Sequence, residues 1–361
     1  MSLNVKCTSC GANVSYEPGT AHLTCQYCHH TIDIELANSA NNANQELDLN
    51  QYLNDFEGNA PKVERKLISC SGCGANTELE ANQVSGFCPF CDTPLVMEQA
   101  STQSLIKPAG LLPFAIDKKV ATNNFKNWVS KLWFAPNELK KKSAKLDNFK
   151  GIYLPFWTYD CDTGSHYDGQ RGTYYYVEVS YRDKEGNNKT RRERRTSWHH
   201  VSGYVAQSFD DVLIPATTSV PEDKLNALQP WDLADLVDYK DEYISGYLCE
   251  SYSTDLKTGY QEAKVIIDNQ IRSAIHSDIG GNEQRISSVS TQYNHVTFKH
   301  LLLPVWVSAY RYKEKVYQIL VNARTGEVQG ERPWSWVKIS AAVMTAATII
   351  GGCVYWYNMT H

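Results

Sequence analysis

Eight of the 11 cysteines in this chain fall into two quartets, Cys7, Cys10, Cys25, Cys28 and Cys70, Cys73, Cys88, Cys91, each spaced C-x2-C-x14-C-x2-C. Two residues between thiols let one tight turn aim both sulfurs at a single point, and two such turns facing each other make a tetrahedral four-sulfur cage. The second quartet repeats the first at an offset of 63 residues, and Cys10-Gly11-Ala12-Asn13 recurs as Cys73-Gly74-Ala75-Asn76. The glycine relieves crowding where the backbone amides turn back toward the thiolates. The opening residues, Met1 to Lys6, lack a basic stretch followed by an apolar one, so no secretory signal is predicted and the cysteines are expected in the cytoplasm. Thiols there stay reduced, which favours metal ligation over disulfides.

The predicted metal is zinc, one ion per quartet. Rubredoxin-type iron is the competitor, hinted at by Cys88-Pro89-Phe90-Cys91, but the spacing between pairs is short for it. His29 and His30 directly follow Cys28 and are expected at the surface, outside the ligand sphere. Four thiolates leave no open coordination position for water or substrate, so both sites are predicted to be structural.

Charge then narrows the partner. The 361 residues carry 35 Lys and Arg against 40 Asp and Glu, a formal charge of −5. Residues 1–100 hold four basic and twelve acidic side chains, −8, and each zinc with four thiolates adds about −2. A phosphate backbone is repelled by such a surface, so nucleic acid is an unlikely partner and a membrane-tethered nucleic-acid binder is the alternative reading. A protein partner fits better.

Strands expected at 21–24, 31–36, 66–69 and 93–96 make each quartet a zinc ribbon, at 1–36 and 62–100. A polar linker, 37–61, rich in Asn and Ala, is expected to let the two copies orient separately. So few apolar residues cannot hold a ribbon alone, and metal binding supplies much of its folding free energy, on the order of 10 kcal/mol per site.

At the other end, residues 339–357 contain no charge over nineteen residues, about 28 Å of helix and close to the hydrocarbon thickness of a bilayer. Trp334 and Trp336 precede the segment and Tyr355, Trp356 and Tyr357 end it, as headgroup-zone rings do. Arg324, Arg332 and Lys338 lie on its N-terminal side, so positive-inside asymmetry predicts a single-pass tail anchor at 337–357 in the inner (cytoplasmic) membrane with the bulk cytoplasmic. Ala342 and Ala346, then Ala347 and Gly351, have small-xxx-small spacing that permits a homo-oligomer through the membrane.

Between ribbons and anchor, residues 102–335 read as a duplicated α+β domain, a helix plus an antiparallel sheet repeated. Phe149-Lys150-Gly151-Ile152-Tyr153-Leu154-Pro155-Phe156-Trp157 aligns without a gap on Phe298-Lys299-His300-Leu301-Leu302-Leu303-Pro304-Val305-Trp306. A helix is expected before each copy, with one apolar stripe of Phe125, Trp128, Val129, Leu132 and Trp133 and another of Ala263, Ile267, Ile271, Ala274 and Ile275. Turn signals at 183–186 and 322–326 close hairpins. Pro155 and Pro304 predict edge strands or a bulge.

Catalytic motifs are missing from the sequence: it has no G-x-x-x-x-G-K-[ST] loop, no H-E-x-x-H and no G-x-S-x-G. His166 with Asp160, Cys161 and Asp162 is better read as a polar hairpin than as a site, and no enzyme is predicted. Cys161, Cys249 and Cys353 are expected to be buried thiols. Arg191-Arg192-Glu193-Arg194-Arg195 is expected on an exposed strand or loop, with anionic lipid or an acidic partner as its functional readings.

The paired C-G-A-N ribbons, the L-P-F-W and L-P-V-W blocks, the run from Val321 to Gly330 and the apolar tail resemble a bacterial family of membrane-attached zinc-ribbon proteins, often loosely labelled primosomal replication helicase-like. The resemblance covers nearly the whole chain. It implies neighbours of the SPFH-domain and phage-shock-protein-A type in envelope stress, and an adaptor that recruits such cytoplasmic proteins to the membrane. The helicase label does not fit, because without a phosphate-binding loop ATP hydrolysis cannot be coupled to strand separation. Residue by residue, only the eight cysteine ligands carry over.

Overall fold

The computed structural model describes residues 5–35, 45–54, 62–78, 85–96, 100–136, 148–184, 186–312, 315–331 and 334–360. Most of the predicted linker, and Arg332, lie outside them. Strand outweighs helix, 46% against 26%, so the chain is a β-dominated mixed fold.

Each cysteine quartet sits on short strands. The first uses β1 (Val14–Tyr16), β2 (His22–Cys25) and β3 (Thr31–Asp33) as one antiparallel sheet. The second uses β4 (Lys62–Ser69), β5 (Asn76–Glu78) and the hairpin of β6 (Ser85–Phe87) and β7 (Pro94–Val96), with β8 (Ala100–Ile106) pairing along β4.

The body follows. Helix α1 (Lys118–Lys131) is capped by Asp117, whose carboxylate accepts the Val120 amide at 2.8 Å. Three very long strands come next: β9 (Lys150–Arg182), β10 (Asn188–Pro215) and, after helix α2 (Leu256–Ile279), β11 (Glu283–Tyr312). They run antiparallel in the order β10-β9-β11, and β12 (Lys315–Asn322) and β13 (Val328–Gly330) continue the sheet beyond β11. Asp255 caps α2 by accepting the Thr258 amide at 2.9 Å, and Ala263, Ile267, Ile271, Ile275 and Ile279 form its buried stripe. Four-residue spacing puts them on one face against the sheet.

The repeated blocks pair with each other. Leu154, the sixth residue of the first block, lies opposite Leu303, the sixth of the second, so a pseudo-twofold axis passes between them. The Trp157 ring donates to the Thr254 carbonyl and the Trp306 ring to that of Ile116, both at 3.0 Å. Each carbonyl belongs to the residue just before a helix-capping aspartate, so each tryptophan ties its own strand to the start of a helix.

The prolines depart from expectation. Pro155 and Pro304 lie inside the central strands β9 and β11, and the register shifts fall elsewhere, between Tyr159 and Cys161 and near Asp168. Strand β10 ends at Pro215 opposite Phe156, and β12 ends at Asn322 opposite Val305. Each block proline therefore faces a neighbour whose ladder has just stopped. Their carbonyls still accept, from Ala216 at 2.9 Å and Ala323 at 3.1 Å, while no amide is needed.

Alternation along the strands divides the core. Ile152, Leu154, Phe156, Leu301, Leu303 and Val305 face the second ribbon, whereas Tyr153, Leu302 and Trp306 pack with the first ribbon and α1. The two ribbons thus grip opposite faces of one sheet and do not orient separately. Trp133 is also corrected: α1 ends at Lys131, so Trp133 leaves the helical stripe and is 80% exposed.

The last element, α3 (Trp336–Thr360), is apolar over Trp336–Tyr357 and none of that span is buried. It is long and apolar enough to cross a membrane, and it is not a core helix. Its first turn is fixed to the body: the Ser335 amide donates to the Phe134 carbonyl at 2.9 Å, and Lys338 Nζ donates to that of Ala135 at 2.8 Å. Cys353 sits on α3 and is exposed, unlike the buried Cys161 and Cys249.

Candidate metal centres

Every C-x2-C turn in the chain closes the same way. The amide four residues after the first cysteine donates back to that cysteine's carbonyl: Gly11 to Cys7, His29 to Cys25, Gly74 to Cys70, Asp92 to Cys88, at 2.8 to 3.0 Å. All four donors have positive φ, between 57° and 78°. Glycine meets that demand in the leading turn of each ribbon, and His and Asp, which tolerate the left-handed region better than most residues, meet it in the trailing turns. His29 is therefore a backbone device on an exposed turn, and His30 points to Thr8, with Nε2 at 3.1 Å from the hydroxyl.

The turns bring together all eight predicted cysteines, four in each cluster, with ligand atoms within 4.8 Å of one another. Cys7–Cys28 and Cys10–Cys25 sulfurs lie 3.6 Å apart, and Cys70–Cys91 and Cys73–Cys88 sulfurs 3.5 Å. A disulfide needs about 2.05 Å, whereas the edge of a tetrahedron with metal–sulfur bonds of about 2.3 Å is roughly 3.8 Å. The spacing fits a shared cation. Without one, the thiols cannot all ionise: a hydrogen bond from Cys73, aided by the Phe90 and Cys91 amides, brings Cys88 down to about 5, while Cys73 is driven up by that same contact and by burial. In the first cluster the Cys28 and Tyr27 amides bring Cys25 down to about 6; Cys10, despite the Ala12 amide, is pushed up to about 12 by Cys28 and Cys25. Each tetrad can hold a metal ion.

No known protein-family model matches the chain. It is 26% identical over 349 residues to a protein of Bacillus subtilis (strain 168) named "Uncharacterized protein YdjG", a likeness spanning 94% of this chain and 93% of that protein. The similarity therefore runs almost end to end in both.

His166 and the Asp160–Asp162 run do not converge on one site. Asp162 pairs with His295 at 3.1 Å and accepts Ser208 at 2.7 Å, His166 lies beside the Tyr204 ring, and Asp160 turns inward. There the buried Lys299 is 2.8 Å from Asp211, 3.5 Å from Glu46 and 3.6 Å from Asp160. The ammonium offsets one of the three carboxylate charges, and burial with the Glu46 contact raises Asp160 to about 7.

Two residues outside the predicted ligand set hold the second ribbon to the body. Arg65, 5% exposed, reaches Asp241 at 3.2 Å, the Tyr239 hydroxyl at 2.6 Å and Glu78 at 3.7 Å, joining the second ribbon to the body. Phe90, fully buried between Cys88 and Cys91, packs in the core beneath that ribbon. A cation inside an otherwise alternating strand was the available signal for the first; for the second, Pro-Phe in a metal turn.

Proposed function

We propose that the protein is a non-enzymatic, membrane-anchored zinc-ribbon adaptor. Zinc occupies both tetrads, α3 crosses the inner (cytoplasmic) membrane once, and the body and ribbons stay on the cytoplasmic side as a scaffold for peripheral partners in envelope stress. The observation that carries the reading is α3: a 22-residue span, Trp336–Tyr357, with a single charge at Lys338 and no share buried. Outside a bilayer that surface would be far larger than soluble proteins leave exposed. Exposed Trp133, Trp334 and Trp336 gather where α3 leaves the body, a ring of side chains suited to the headgroup zone, and Lys338 lies beside them.

Closed four-thiolate sites supply shape and no chemistry. The first ribbon offers the partner-facing surface, because its trailing turn leaves Tyr27 81% exposed beside exposed His29 and His30. Partners of the SPFH or phage-shock-protein-A type are proposed on the family resemblance and on the acidity of the ribbons.

Two experiments test this. Fractionation of cells producing the full chain, against one with α3 deleted, is expected to move the protein from the membrane to the soluble fraction; a full chain that stays soluble refutes the anchor. Affinity purification of the detergent-solubilised protein, intact against Tyr27→Ala/His30→Ala, is expected to lose a specific cytoplasmic protein at unchanged zinc content of two per chain. Identical partner lists would remove the first ribbon as the recruiting surface.

A further inference from the structure

The hairpin of β9 and β10 outruns everything that covers it. Strand β11 stops pairing with β9 at Gly172 opposite Glu283, and α2 ends at Ile279. Beyond that point, among the described residues, Thr173–Arg182 and Asn188–Ser197 pair only with each other, a two-stranded arm about 34 Å long at 3.4 Å per residue. None of its described residues is buried. Both faces carry arginine and tyrosine: Arg192 lies 4.4 Å over Tyr176 and Arg194 4.2 Å over Tyr174 on one, Arg191 5.8 Å from Tyr181 on the other. Residues 173–197 hold seven basic and four acidic side chains, +3 in a chain of −5.

At the opposite end of the same strands lies a cleft of about 820 Å³, where the two ribbons approach each other around the sheet edge at Gly151. Tyr16, Phe87, Phe149 and Trp306 give it aromatic walls, and Glu17 and Asp117 carboxylates stand with Lys118 and Lys150 around it. Strand β9 runs 33 residues from the cleft to the arm tip, up to roughly 110 Å of contour. An arm cannot fold back onto its own cleft.

We propose that the arm of one chain docks in the inter-ribbon cleft of a second chain. Arm and cleft each carry both signs of charge and aromatic rings. The arm is not purely cationic: Glu193 lies 3.9 Å from Arg191 and 3.8 Å from Arg195, and Glu178 sits opposite Arg192. A phosphate surface, whether of lipid or nucleic acid, would repel those carboxylates. A cleft edged by both Glu17/Asp117 and Lys118/Lys150 gives both signs a partner, and its aromatic walls accept the tyrosines. The contact is heterologous, so it propagates from chain to chain and builds a ring or row of copies. It goes beyond the adaptor reading and does not require the cytoplasmic partner.

The test uses the full chain in phosphatidylcholine vesicles with a photo-crosslinking amino acid at position 176, and in a second preparation at 175 on the other face. Expected is a cross-linked dimer whose linked peptides come from residues 15–26, 87–95 or 117–118. Arg192→Glu/Arg194→Glu should lower its yield about tenfold, and Glu17→Lys/Asp117→Lys in the neighbouring chain should restore much of it. Zinc at two per chain in every variant shows that the fold survives. Adducts confined to lipid, to co-purifying nucleic acid or to another arm, or no interchain adduct at either position, would overturn the proposal.

Discussion

The two ribbons have the same ligands, the same spacing and the same turns, yet they meet the body differently. The third residue of the trailing turn is Tyr27 in the first ribbon and Phe90 in the second: one is 81% exposed and the other 0%. Around Phe90, Cys70 and Cys88 join a core with Val220, Leu228 and Leu320, and Gln318 holds the Phe90 carbonyl at 3.1 Å. The first ribbon also buries Cys7 and Cys25, in a core with Phe114, Tyr243 and Trp306, and is tied by the Tyr16 amide to the Ser245 carbonyl at 3.0 Å and the Ser245 hydroxyl to the Val14 carbonyl at 2.7 Å, but its Cys10 and Cys28 remain exposed. Two cages of one sequence pattern are thus packed differently. The trailing turn of the second is covered by the body, and that of the first stays exposed.

Removing a cage is the harshest way to break that contrast. Cys70→Ser/Cys73→Ser should cut zinc from two per chain to one and release Phe90 and its neighbours from the core. The thermal midpoint of the detergent-solubilised protein should then fall by about 10 °C or more, at roughly 2–4 °C per kcal/mol for a body of this size. Cys7→Ser/Cys10→Ser should remove one zinc as well but lower the midpoint by only about 5 °C. Equal drops would mean that the ribbons contribute alike.

A single side chain sharpens the same point. Phe90→Ala deletes a fully buried ring and should cost about 3–5 kcal/mol in denaturant unfolding, whereas Tyr27→Ala, at an exposed position, should stay within about 0.5 kcal/mol. Arg65→Met should cost about as much as Phe90→Ala: losing the cation leaves the Glu78 and Asp241 carboxylates without it, about 3–5 kcal/mol for a buried pair broken on one side.

Much of this was legible from residue types. The cysteine spacing predicts both tetrads, because the C-x2-C turn is a local structure that closes on its own amides. The apolar stripes predict α1 and α2, because helical periodicity records burial directly. The repeated Phe149 and Phe298 blocks predict a duplication, though not that the blocks pair across a pseudo-twofold axis, which depends on where β10 and β12 end. That endpoint also hid the reason Pro155 and Pro304 are tolerated centrally. The exposed arm was visible only as Arg191 to Arg195: strand length is set by turn position, at Asp183, and by how far β11 follows, which no local pattern encodes. Phe90 and Tyr27 look alike in sequence, and only the neighbouring loop decides which is covered.

The mildest discrimination is by pH, and the ribbons should respond with opposite signs. Burial lifts the Glu78 carboxyl against the pull of Arg65, with Asp241 adding to the rise. Its folded form holds the proton more tightly than the unfolded chain, so the stability it contributes declines as pH rises from about 4.5. Glu17 is lowered, first by the Thr24 hydroxyl at 2.5 Å and then by His22. Its contribution is present above the unfolded value and is lost as pH falls below it. Comparing wild type with Glu78→Gln and with Glu17→Gln between pH 4 and 7, the wild-type advantage should shrink with rising pH in the first pair and grow in the second. The Glu17 change should stay within about 0.5 kcal/mol, as for an exposed carboxylate. Parallel slopes in the two pairs would show that the second ribbon's junction is as open to water as the first ribbon's rim.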